Sequence, residues 1–120
     1  MRDVVKTMLR LQELELIKDE NKILHLEKDP EHQAQFAQLE TTIKQLTEQL
    51  PEKWRARYKA LRKNGIAVVR EFGGVCQQCR MVISVGVLNR MRKGENSWIC
   101  PNCGRFLLLS EDRSETTSNQ

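Results

Sequence analysis

Cys76-Gln77-Gln78-Cys79, answered twenty residues later by Cys100-Pro101-Asn102-Cys103, decides how this chain folds. These four are all its cysteines. The pattern C-x2-C, spacer, C-x2-C is that of a four-thiolate zinc site. A two-residue gap lets one tight turn present two thiolates to one ion. Two such turns complete a tetrahedron with sulfur about 2.3 Å from the metal. Catalytic zinc keeps a position open for water, whereas four cysteines close the shell. The expected cofactor is therefore one structural Zn2+, and the expected chemistry is none. Two other uses compete. A redox C-x-x-C would explain one pair and leave the second idle. A pair of disulfides is rare in a reducing cytosol. Met1-Arg2-Asp3-Val4 leads directly into a charged helical pattern, and no apolar run reaches the length of a membrane span. The expectation is a cytoplasmic protein with no membrane segment.

Around the cysteines the residues read as a small β unit, residues 64–110. Ile66-Ala67-Val68-Val69 is strand-like, Gly73-Gly74 is a turn, and Met81-Val82-Ile83 is a second short strand. Ser84 is placed to cap a brief helix running to Lys93 and closed by Gly94. Ser97-Trp98-Ile99 enters the second cysteine pair and Phe106-Leu107-Leu108-Leu109 leaves it. A unit of this size buries little core alone, so metal binding must supply much of its folding energy. Residues 111–120 contain no apolar side chain and are expected to be disordered.

Upstream the period is helical. Residues 3–28 carry Leu9, Leu16 and Ile23 seven apart, and a second stripe of Val4, Met8 and Leu11. One stripe suffices for a helical hairpin. The second needs another surface, either the zinc unit or a second copy of the chain. Asp29-Pro30 should end this helix and start the next. Phe36, Leu39, Ile43, Leu46 and Leu50 then form an a/d seam. Two amphipathic helices with a turn near 28–31 predict an antiparallel coiled-coil hairpin over residues 1–63. Pro51 should break or kink its second arm. Trp54, Tyr58 and Leu61 resume the apolar spacing, and Asn64-Gly65 ends the helix. The fold class expected is mainly α with a small β zinc ribbon.

The net charge of +4 is unevenly placed. Residues 1–50 carry 7 Lys/Arg against 10 Asp/Glu, residues 51–110 carry 12 against 3, and residues 111–120 carry 1 against 3. The positive excess surrounds the metal site, where it would attract phosphates or an acidic protein surface. Arg55, Lys59 and Arg62 share one helix face beside Lys63, and Arg90, Arg92 and Lys93 cluster between the cysteine pairs. These seven are the candidate phosphate contacts. Arg80 and Arg105 adjoin the thiolates and could offset the site's negative charge. Trp54, Tyr58 and Trp98 read as core in preference to stacking platforms, because apolar helical spacing usually reports packing. His25 and His32 flank the hairpin turn with Asp29 and Glu31, a weak candidate for a second metal. There is no Gly-rich phosphate loop, no Ser/His/Asp set and no paired carboxylates in an apolar setting, so no enzyme is expected.

Tyr58-Lys-Ala-Leu-Arg62, Gly65-Ile-Ala-Val-Val69, Cys76-x2-Cys79 and Cys100-Pro-Asn-Cys103-Gly104-Arg105 resemble the bacterial four-cysteine zinc-ribbon family with an N-terminal coiled-coil hairpin. The resemblance runs from about Tyr58 to Leu109, and this chain looks like a short form. It departs at Gln78, where that family often has glycine, and in its shorter hairpin arms. The resemblance implies a nucleic-acid-binding adaptor, RNA in preference to DNA, since members are implicated in binding flagellin messenger RNA. It also implies an alternative: a scaffold contacting a sigma factor, a secretion or flagellar component, or a second protomer through the hairpin.

Overall fold

The computed structural model describes residues 1–111. The expected tail therefore lies, from residue 112 onward, outside the described residues. The chain runs α1 (Arg2–Ile23), a single 3-10 turn (Leu26–Lys28), α2 (Gln33–Gln49), α3 (Glu52–Lys63), β1 (Val68–Phe72), β2 (Val75–Cys76), α4 (Val85–Arg92) and β3 (Phe106–Leu108).

α1 and α2 form an antiparallel hairpin. Asp3, Val4 and Thr7 share a cleft with Gln49, Leu50 and Pro51. Farther along, Lys18 Nζ lies 3.3 Å from Glu40 Oε2. The turn is longer than the sequence suggested. His25 takes a left-handed conformation, φ 61°, which ends α1 short of Lys28. α2 starts at Gln33 and not at Pro30. The Asp29 carboxylate accepts from Glu31 N at 2.9 Å, and the Asp29 carbonyl accepts from His32 N at 2.8 Å. An aspartate turn thus occupies residues 29–32 and defers the helix. Pro51 breaks the chain outright, because Leu50 and Pro51 are both extended (ψ 135° and 140°) and α3 is a separate helix.

The heptad seam is closed only in part. Leu50 is buried, and Phe36, Leu39, Ile43 and Leu46 are half-buried. Leu16, Ile17, Ile23 and Leu24 stay exposed. The well-buried face of α1 is instead Val5, Met8 and Leu11, all without solvent exposure. The same core holds Leu50 and Tyr58 with Val68, Phe106, Leu107 and Leu109. Met8 and Leu11 of the second stripe therefore find their surface on the zinc unit, joined by Val5 in place of the half-buried Val4. The core crosses the boundary expected near 63–64. Burial of each such side chain contributes about 1.5–3 kcal/mol.

The sheet order is β2-β1-β3. β1 and β2 are antiparallel, pairing Glu71 with Cys76 and Phe72 with Val75. They are joined by Gly73 (φ 61°) and Gly74 (φ 82°), the two positive-φ positions of a tight hairpin turn. β1 and β3 are parallel, with Val68 opposite Phe106 and Arg70 opposite Leu108. The strand expected at 66–69 is shifted to 68–72, because β3 pairs with Val68–Arg70 and β2 takes over at Glu71 and Phe72. The stretches around Val82 and Ile99 contribute single bridges, to Val75 and Phe106. α4 forms as expected: Ser84 Oγ accepts from Val87 N at 3.2 Å, and Gly94 at φ 82° closes it.

Two buried polar side chains hold this assembly together. Gln12 on α1 accepts from Ala67 N at 2.6 Å and Val68 N at 2.9 Å, and donates to the Val68 carbonyl at 3.0 Å. Glu71 on β1 accepts from Gly74 N at 2.8 Å, Ser110 N at 2.8 Å and Ser110 Oγ at 3.1 Å. One ties α1 to the sheet. The other pins the β1–β2 turn to the chain leaving β3.

Candidate functional site

The two cysteine pairs sit on two loops with one shared backbone pattern. In the first, Arg80 N donates to the Cys76 carbonyl at 2.8 Å and Cys76 N to the Met81 carbonyl at 3.1 Å. In the second, Gly104 N donates to the Cys100 carbonyl at 2.9 Å and Cys100 N to the Arg105 carbonyl at 2.8 Å. The residue after each second cysteine is left-handed: Arg80 at φ 65°, Gly104 at φ 77°. The non-glycine residue in that conformation costs about 1–2 kcal/mol. Gln78 replaces the glycine of the resembled family, yet the first loop keeps the bonds of the second.

The loops face each other. Cys76 Sγ lies 3.9 Å from Cys103 Sγ, and Cys79 Sγ lies 3.7 Å from Cys100 Sγ. All four ligand atoms fall within 4.8 Å of one another. A tetrahedron with Zn–S of about 2.3 Å has edges of about 3.8 Å, so these residues fit a zinc ion. A disulfide needs about 2.05 Å, well short of these separations. The four cysteines are positioned to bind one zinc ion. Cys76 and Cys100 are buried, Cys79 and Cys103 half-buried. Taken as thiols, burial raises Cys76 and pushes Cys100 up to about 12. Cys79 is held at about 6, chiefly by hydrogen bonds from the Asn102 side chain and the Met81 backbone. Two buried thiols that resist ionisation need a cation to become thiolates, and zinc supplies that charge. With every position filled by sulfur, the ion's chemistry is cross-linking of the two loops.

The Arg80 and Arg105 side chains each make one hydrogen bond beside the cysteine loops. Arg80 donates to Gln77 Oε1 at 3.1 Å, and Arg105 Nε to the Ile66 carbonyl at 3.0 Å. The histidine pair at the hairpin turn does not make a second centre. His32 Nδ1 lies 3.1 Å from Asp29 Oδ2, and among the described residues the four cysteines are the group able to hold a metal.

The seven candidate cations separate into two sets. Three are structural struts. Arg55 Nη2 donates to the carbonyls of Leu50 at 2.8 Å and Glu48 at 3.1 Å, capping α2 across the Pro51 break. Arg62 Nε meets Glu15 Oε1 at 2.9 Å, and its Nη1 donates to the Gly65 carbonyl at 2.7 Å. Arg92 lies 3.9 Å from the buried carboxylate of Glu71. The other four, Lys59, Lys63, Arg90 and Lys93, are exposed and make no ion pair among the described residues. Lys53 and Arg57 belong to the same basic helix over 53–63 but lie outside those seven. Arg57 Nη2 donates to the Gly104 carbonyl at 2.7 Å, and Lys53 Nζ sits 4.7 Å above the Trp54 ring. Core placement holds for Tyr58 and Trp98, which are 1% and 5% exposed. Tyr58 donates to Glu15 Oε1 at 2.6 Å, and Trp98 Nε1 to the Met91 carbonyl at 2.8 Å. Burial and the Glu15 carboxylate push the Tyr58 phenol far up, so it stays a donor. Trp54 is half-buried, edge-on to Phe106 at 5.9 Å.

The polar anchors Gln12 and Glu71 were missed. Each is a single polar residue in an otherwise ordinary pattern, and only the tertiary contact reveals its role.

Two loops of matched geometry on a small sheet, with four thiolates at tetrahedral separations, define a four-cysteine zinc ribbon. Residues 75–107 match the family model of the C4-type zinc ribbon domain. No curated protein and no solved structure matches the chain. Among the described residues no helix is long and apolar enough to cross a membrane.

Proposed function

We propose that this protein is a cytoplasmic, non-enzymatic nucleic-acid-binding adaptor that grips a phosphate backbone, RNA in preference to DNA. A zinc ribbon suggests nucleic-acid or protein binding in general. The observation that carries the narrower reading is the set of unpaired cations, Lys59 and Lys63 on α3 with Arg90 and Lys93 at the end of α4, on the portion of the chain that holds 12 Lys/Arg against 3 Asp/Glu. Cations with no ion-pair partner among the described residues are available for phosphates, and their contacts carry no base information. The preference for RNA comes from the resemblance noted above. Arg55, Arg62 and Arg92 serve the fold first. The test is fluorescence anisotropy with mixed-sequence single-stranded RNA and double-stranded DNA, comparing wild type with Lys59→Glu/Lys63→Glu and Arg90→Glu/Lys93→Glu. The reading expects weaker RNA binding in both variants with unchanged zinc content. Full affinity in both would overturn the site.

A second reading is a scaffold for protein partners, such as a sigma factor, a secretion component or a second protomer. Two exposed apolar groups favour it: Leu16, Ile17, Ile23 and Leu24 on the distal hairpin, and Phe72, Met81, Val82 and Val85 on the ribbon. Binding to protein with no affinity for RNA at low salt would select this reading.

A further inference from the structure

The chain has two tryptophans, and both line one cavity of about 240 Å³. It lies between the first turn of α3, which brings Lys53 and Trp54, and the loop Gly94–Ser97 leading into Trp98. It is smaller than the roughly 300–1,000 Å³ of pockets that enclose drug-sized ligands, which suits one planar heterocycle. Trp98 is a fixed wall: it is 5% exposed, with its Nε1 bonded to the Met91 carbonyl and the Arg2 guanidinium 4.9 Å from its ring centroid. Trp54 is held from one side by its edge-on contact with Phe106. Trp54 is half-buried and lines the cavity, and its companion on the ring face is the exposed side chain of Lys53.

We propose that this cavity is a base-binding pocket for single-stranded nucleic acid, in which one nucleobase stacks on Trp54 and the displaced Lys53 ammonium turns to the adjoining phosphate. The inference rests on the nucleic-acid reading above. A base is favoured over a cationic guest by the surroundings. Lys53 and Arg2 already hold positive charge over the two rings, against one lining carboxylate, Glu95. Every base has a π-face, so stacking on an aromatic ring is tolerant of sequence. Asn96 and Ser97 line the same cavity and bring donors and acceptors suited to a base edge. The pocket gives the account what phosphate contacts lack, a means of telling a single strand with free bases from a duplex whose bases are stacked.

The test uses the full zinc-loaded chain, whose intrinsic fluorescence comes from these two tryptophans. It is titrated with oligoadenylate, and with an abasic ribose-phosphate oligomer of the same length. The proposal expects oligoadenylate to quench the emission and to bind about 5- to 150-fold more tightly than the abasic oligomer, the contribution of one stacked base. Trp54→Ala should remove most of that difference and Trp54→Phe should keep part of it. The comparison of the two oligomers stands on the unaltered protein, whatever the variants do to folding. Equal affinity for both, with no quenching, would overturn the pocket and leave the phosphate-binding surface standing. Failure of both to bind at low salt would remove the pocket and the nucleic-acid reading together.

Discussion

Gln12 and Val68 lie 56 positions apart in sequence and share two hydrogen bonds, the Gln12 amide donating to the Val68 carbonyl and accepting from its N–H. A third bond, from Ala67 N, makes this buried side chain a substitute strand for the start of β1. The helical hairpin and the zinc ribbon are joined by specific polar bonds as well as by apolar packing. Gln12→Leu keeps the volume and strands three backbone groups. Each buried group left without a partner costs about 1–3 kcal/mol. Denaturant unfolding of the zinc-loaded protein should show a loss of about 3 kcal/mol or more, the lower figure applying where water reaches the stranded groups. A loss under half a kcal/mol would mean that the contact adds nothing net.

Arg62 illustrates how charge on the surface can belong to the fold. Its guanidinium and the Tyr58 hydroxyl converge on the same Glu15 oxygen, with Asp19 at 3.8 Å. Arg62→Glu sets a carboxylate against two others. We expect it to destabilise by about 1–3 kcal/mol, the cost of stranding partly buried charged partners. Arg92→Glu, beside the buried Glu71, should do the same. Lys63→Glu, with no such partners, should leave the melting temperature within a few degrees. A thermal scan of the three variants separates the sets; equal melting temperatures would contradict the division into struts and free cations.

The second cysteine loop depends on Gly104. Its φ of 77° is left-handed, and an added Cβ would meet Arg57 Nη2 at 3.4 Å. Gly104→Ala should cost about 1–2 kcal/mol from backbone strain. Arg80 holds the matching position in the first loop at φ 65° without glycine's freedom. Arg80→Gly should therefore be neutral or stabilising where Gly104→Ala is harmful. Chemical denaturation of both, zinc-loaded, checks the asymmetry.

The hairpin turn carries a pH signature. The Asp29 carboxyl is held below its usual 3.8, first by the Glu31 N–H that donates to it. A carboxyl lowered in the folded state stabilises at pH above its unfolded value, and loses that contribution as pH falls through the lower folded value. Carbon-detected NMR titration should show Asp29 ionising below 3.8, and the 29–32 turn loosening in that window. Titration at or above 3.8 would contradict the aspartate turn.

Which parts of this architecture could be read from sequence follows from the range of the interactions. The zinc ligands were legible because C-x2-C fixes geometry locally, within one turn of chain. The Ser84 cap and the Pro51 break were legible for the same reason. The heptad seam was only half realised. Leu16 and Ile23 have the right spacing, yet they lie where α1 has passed beyond the ribbon, and α2 alone leaves them exposed. The seven cations were identified by clustering, which does not distinguish Lys63, facing water, from Arg62, one residue earlier and turned onto Glu15. Gln12 and Glu71 were invisible because their partners are distant backbone atoms. His25 gave no sign that it would take the left-handed conformation that lengthens the turn.

Removing the metal should undo the ribbon. Four thiolates on one ion cross-link the two loops, so chelation at neutral pH should loosen them, expose Trp98 and shift its emission to the red. Elemental analysis should return one zinc per chain, and Cys100→Ser should lower both zinc content and folding. Since thiolates bind the ion and protons compete for them, affinity for zinc should fall as pH is lowered. Retention of the folded emission after complete chelation would contradict a structural role.

The most direct test of the central claim is the salt dependence of binding between the zinc-loaded protein and mixed-sequence single-stranded RNA. Each phosphate contact displaces counterions, giving a slope of log affinity against log salt of about −0.7 per contact. The four unpaired cations predict a slope near −3, reduced in Lys59→Glu/Lys63→Glu and in Arg90→Glu/Lys93→Glu. A flat dependence, or no binding at low salt, would contradict the phosphate-gripping adaptor.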